Sequence, residues 1–144
     1  MPVEQAAEAS RWLEYANGDL RTAIAIAKDP DVPPRSACFH AQQCAEKSLK
    51  AALIHVGIEP PKLHNLASLV ELLPPSWRVR TATDLGRLTF WAAEARYPSD
   101  SGEASAEDVR IAIDTSKWIY DAVKRDIAAR TSSGSTDEAE SSTK

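Results

Sequence analysis

Apolar residues recur along this chain at the spacing of helices, and no stretch alternates convincingly as a strand would. Leu13, Ala16, Leu20, Ile24 and Ala27 share one face and predict a helix from about Glu4 to Lys28, ended by Pro30, Pro33 and Pro34. A second helix is predicted from Pro34, suited to a first turn, to Val56, with Gly57 suited to the C-terminal cap. Leu66, Leu69, Val70 and Leu73 give a short third helix over Asn65–Leu73, stopped by Pro74 and Pro75. Thr81 and Asp84 stand at capping-box spacing and open a fourth helix running to Tyr97, just before Pro98. Ser105 and Asp108 repeat that spacing ahead of a last long helix, whose stripe is Val109, Ala112, Ser116, Ile119, Val123 and Ile127.

This pattern predicts an all-α protein, an up-and-down antiparallel helical bundle of four to five helices. With 144 residues, one domain over residues 1–130 is expected. Residues 131–144, TSSGSTDEAESSTK, lack an apolar anchor and are expected to form a disordered polar tail. A net charge of −4 argues against a broad electrostatic nucleic-acid footprint but permits a local basic patch. Cys38 and Cys44 lie six apart on one predicted helix, too far to bridge, and no signal-like segment or membrane-length apolar run is present. A cytoplasmic protein without a membrane role is expected.

The second helix carries the unusual chemistry. At about 100° per residue, Ala41, Ala45, Leu49, Ala52 and Val56 form its apolar arc, while His40, Gln43, Lys47 and Lys50 gather on another. Gln42 and Glu46 project beside Leu49 and Leu53, where unpaired polar groups would be costly. Glu46 is therefore expected to pair with an arginine, Arg96 first and Arg35 second. A solvated face that happens to carry Lys and Gln is the simpler alternative for the stripe.

Much chemistry is missing. There is no glycine-rich phosphate loop, HExxH helix or paired CxxC, and His40, His55 and His64 lack metal-ligand spacing. No metal and no cofactor are expected. Catalysis, if present, would be metal-independent acid–base chemistry using His, Arg and Lys.

The run FHAQQCAEKSLKAALIHVGIEPPKLHNLASLVELL, followed by EARYP, resembles the HEPN domain (higher eukaryotes and prokaryotes nucleotide-binding) over about Arg11 to Arg125. Three blocks carry the resemblance in order: AQQ-AEK-LKA, His64-Asn65-Leu66 and Arg96-Tyr97-Pro98. It implies a small up-and-down bundle, often a homodimer, that works with a small nucleotidyltransferase partner in a toxin–antitoxin-like module. Nucleotide binding is the name-giving property. Some members are instead metal-independent ribonuclease toxins with an Arg-x(4–6)-His motif, a spacing that Arg35 and His40 satisfy. Two such residues five apart on a helix point about 140° away from each other.

The binding reading takes a nucleotide or RNA through Gln43, Lys47, Lys50, Arg96 and Tyr97, with both lysines on phosphate and Tyr97 either stacked on a base or packed against the bundle. Gln42, Glu46 and His64 are structural polar residues, His64 with Asn65 forming a hydrogen-bonded helix start. The enzyme reading makes Arg35 and His40 catalytic. A non-catalytic partner-docking scaffold is the third. A homodimer is expected, with Ala37, Ala41 and Ala45 permitting close helix approach. Trp12, Trp91 and Trp118 are expected in the core or an interface, and Trp77, between prolines, at the surface.

Overall fold

The computed structural model describes residues 3–96 and 102–142, with side chains as far as Thr131. Within them the regular structure is helical: α1 (Val3–Ala27), α2 (Pro34–His55), α3 (Leu66–Glu71), a 3₁₀ turn (Arg78–Thr81), α4 (Leu85–Thr89), α5 (Trp91–Glu94) and α6 (Ala106–Ser142). None of the described helices is long and apolar enough to cross a membrane.

Helix α2 is the axis of the bundle. It starts with Pro34 in its first turn, and its end is closed by Gly57 in the left-handed region at φ 82°. There Gly57 N–H donates to the Ile54 carbonyl at 3.0 Å and Ile58 N–H to that of Leu53 at 2.9 Å, a Schellman closure that needs glycine's freedom. Helix α1 runs antiparallel to α2, since Gln5 near its start donates to the carbonyl of His55 at the end of α2. Helix α6 packs against α2 and also touches α1, with Ile119, Ala122 and Val123 meeting Leu49, Leu53 and Leu69 in one core. Ala37, Ala41 and Ala45 are fully buried. Their small size therefore serves close helix approach inside one chain, and not the contact between chains expected of them.

The capping signals divide. At α6, Ser105 N–H donates to the Asp108 carboxylate at 2.9 Å and Asp108 N–H to the Ser105 hydroxyl at 3.0 Å, a complete capping box. Thr81 and Asp84 form none. The Thr81 hydroxyl donates back to the Arg78 carbonyl at 2.8 Å, and Asp84 takes a left-handed φ of 61° without capping α4. As far as Arg96, the expected helix from Thr81 to Tyr97 is thus a 3₁₀ turn, an extended step and two short helices, and Tyr97 lies outside the described residues. Thr89 contributes to this arrangement by turning its hydroxyl to accept from Leu66 N–H, at 3.1 Å, at the start of α3.

Trp77 corrects another expectation. It is 1% exposed, not at the surface. The Pro74–Ser76 link folds it over the end of the bundle, where His55 meets it edge-on at 6.1 Å and the Arg130 guanidinium lies 4.2 Å above its ring. Trp118 is 42% exposed on the outer face of α6. Helix α6 is described as far as Ser142.

Candidate functional site

The polar stripe of α2 splits into two systems. The first lies on the seam with α1. Asp19 of α1 places one carboxylate oxygen 3.0 Å from His40 Nδ1 and the other 2.6 Å from Lys47 Nζ. A carboxylate can only accept, so Nδ1 carries the proton, and Nε2 has no partner among the described residues. Aromatic rings extend this pair both ways. Lys47 Nζ lies 6.0 Å from the centre of the exposed Tyr15 ring, and Phe39 meets His40 edge-on at 5.4 Å. Arg96, just past the end of α5, covers Phe39 at 5.0 Å. The result is a row of Arg96, Phe39, His40, Lys47 and Tyr15, in which Asp19 joins His40 to Lys47.

The second system is buried between α2 and the link leading to α3. Glu46 is 5% exposed and Gln42 wholly buried. Glu46 accepts from His64 Nδ1 at 2.8 Å, from Gln42 at 3.2 Å and from Lys50 at 3.3 Å. Gln43 donates to Gln42 at 2.8 Å, which links the stripe to this network. The expected arginine partner of Glu46 is therefore replaced by His64 and Lys50. Helical spacing explains it: Lys50 stands one turn further on the same face, while Arg96 and Arg35 sit at the opposite end of α2. Lys47 and Lys50 consequently address different carboxylates.

Arg35 bonds to Glu103 through its guanidinium, and its backbone N–H donates to the same carboxylate at 2.8 Å. It borders a cavity of about 470 Å³ with Arg87, Phe90, Trp91 and Glu94. Burial alone would raise the pKa of Glu103, but the Arg35 and Ala104 N–H groups and the Arg35 guanidinium pull it below the usual carboxylate range. The structure thus gives Arg35 and His40 separate partners on separate sides of α2. Burial pushes both thiols, Cys38 and Cys44, up to about 12, which leaves them protonated packing groups.

Asn65 caps α3 by accepting from Ser68 N–H at 3.1 Å, while His64 turns to Glu46 instead of sharing the helix start. Tyr97 lies outside the described residues. Trp12, Tyr15 and Asp19 are not site candidates on sequence grounds, although they share one face of α1 at helical spacing and that face carries the counter-charge to α2.

The HEPN domain profile matches residues 9–126, spanning α1 to most of the buried part of α6. The chain belongs to the HEPN domain family. Two solved structures have this HEPN fold. TT1696 from Thermus thermophilus is 27% identical with a TM-score of 0.72, over 81% of this chain and 96% of that one. ST0689, an archaeal HEPN homologue, is 28% identical with a TM-score of 0.62, over 83% and 97% respectively. Among curated proteins none matches the chain. In this HEPN domain the matched region contains both polar systems and the α1–α2 seam from Ala9 onward.

Proposed function

We propose that this HEPN domain binds a nucleotide or single-stranded RNA along the α1–α2 seam and works with a small nucleotidyltransferase partner in a toxin–antitoxin-like module. One observation carries the binding part: Arg96 and Lys47 stand beside the rings of Phe39, His40 and Tyr15 in one row. Bases stack on rings whatever their sequence, and phosphates meet the cations between them. Gln43 borders this row and offers an amide to a base edge. Tyr97, next in the chain after Arg96, is proposed to extend it. Lys50 joins the phosphate contacts from the far end of the stripe. Membership in the family supports the nucleotide reading, and the resemblance of the AQQ-AEK and ARYP blocks supports the partner. The domain is proposed to act as a homodimer, for which the exposed rings of Phe90 and Trp118 offer surface.

Fluorescence anisotropy with a labelled single-stranded RNA tests the binding. Phe39→Ala and Lys47→Ala should each weaken it about tenfold, since one base–aromatic stack is worth about 1–3 kcal/mol. Unchanged affinity in both variants would exclude the seam as the binding surface. The ribonuclease alternative has one observation in its favour, the Asp19-oriented imidazole of His40. It requires Arg35 to leave Glu103. RNA cleavage in excess chelator that disappears in both His40→Ala and Arg35→Ala would establish it, and cleavage absent from the wild type would end it.

A further inference from the structure

The seam does not stop at Tyr15. One turn toward the start of α1 stands Trp12, and beyond it a cavity of about 520 Å³ opens between α1, the end of α2 and the Gly57–Lys62 link. That volume suits a nucleotide-sized ligand. Its walls divide by chemistry. Trp12, Ile54 and Pro60 supply a flat apolar side, and the indole is fixed by donating from Nε1 to Glu8 at 3.0 Å. Lys50 also lines the cavity and is 9% exposed. Its ammonium has three donors and one acceptor among the described residues, Glu46 at 3.3 Å. A buried cation with donors left over calls for a further acceptor. Lys62 and Glu59 also line the cavity with opposite charges, and the charge of Glu8 is met by Arg11 at 2.5 Å.

We propose that this cavity takes the terminal, phosphate-bearing nucleotide of a single-stranded RNA, with its base against Trp12 and its phosphate on Lys50. The inference rests on the seam being the path of the strand and adds where that path ends. A terminal monoester fits better than an internal diester, because it brings more charge to Lys50 and carries chain on one side only.

The test uses three internally labelled ten-nucleotide oligoadenylates, one with a 5′-phosphate, one with a 3′-phosphate and one with neither, measured by anisotropy on the full chain. One of the two phosphorylated strands should bind about tenfold tighter than the unphosphorylated one, about 1.4 kcal/mol. That gain should vanish in Lys50→Met. Trp12→Leu, which leaves the Lys50–Glu46 pair intact, should reduce it as well and covers the case in which Lys50→Met does not fold. Equal affinity for all three strands overturns the terminal pocket and leaves strand binding on the seam standing. A gain that survives both substitutions also overturns it. Absence of binding to any strand overturns the pocket and the seam together.

Discussion

Replacing Glu46 by Leu should be among the most damaging single changes to this bundle, and the reason is electrostatic. The carboxylate is 5% exposed and accepts from three side chains. Removing it strands the Lys50 ammonium, itself 9% exposed, and takes an acceptor from the buried Gln42 amide. Deleting one partner of a buried ion pair costs about 3–5 kcal/mol. His64 softens this little, because its side chain is 57% exposed and water replaces the lost bond. A loss of about 3 kcal/mol corresponds to roughly 10 °C in Tm for a domain of this size. Removing both charges has a different consequence. Glu46→Leu with Lys50→Met leaves no stranded ion, and apolar replacements of buried pairs are often neutral, so the double variant should recover at least about half of the loss. Urea titration of the wild type, both single variants, the double variant and His64→Ala measures the cycle. His64→Ala should cost under ~1 kcal/mol. A Glu46→Leu cost below ~1 kcal/mol, or a double variant as unstable as the sum of the singles, would refute the reasoning.

Three further outcomes follow from other parts of the fold. Burial, and then the Arg130 charge, hold the pKa of His55 below the ordinary histidine value, so the unfolded chain binds the proton more tightly. Stability from this group is therefore complete above about pH 6.5 and falls as pH drops toward the folded value. Urea midpoints at pH 7 and 5.5 should separate in the wild type more than in His55→Asn, and equal separations would count against it. With both thiols pushed up to about 12, a chromogenic disulfide reagent at pH 8 should react with neither cysteine in the native protein and with both in guanidinium; a fast native thiol would contradict this. Ser105→Ala breaks the capping box of α6 and should cost about 0.5–2 kcal/mol by thermal melting, against no change if that cap is idle.

The long helices are readable in the sequence because their burial is periodic and their ends carry chemistry: Pro34, Gly57 and the Ser105–Asp108 box all act as spacing predicts. The fourth helix is misread because one hydroxyl has several local acceptors. Nothing in the spacing of Thr81 and Asp84 shows that Thr81 turns back to Arg78. Trp77 is misplaced for a related reason, since flanking prolines mark a turn without saying what the turn folds over. At the site, α2 announces its polar stripe. The partners of that stripe depend on which helix lies beside it, and periodicity within α2 is silent on this. Asp19 and Tyr15 become neighbours of Lys47, and His64 of Glu46, only through tertiary packing.

The seam is tested most directly by mapping where RNA touches the protein. A single-stranded RNA carrying 4-thiouridine at each position in turn, photo-crosslinked to the intact chain and located by mass spectrometry, gives that map. Binding along the seam predicts crosslinks on peptides holding Trp12, Tyr15 and Phe39, competed away by unlabelled single-stranded RNA. Crosslinks confined to the outer face of α6 around Trp118, with none on α1 or α2, would contradict it.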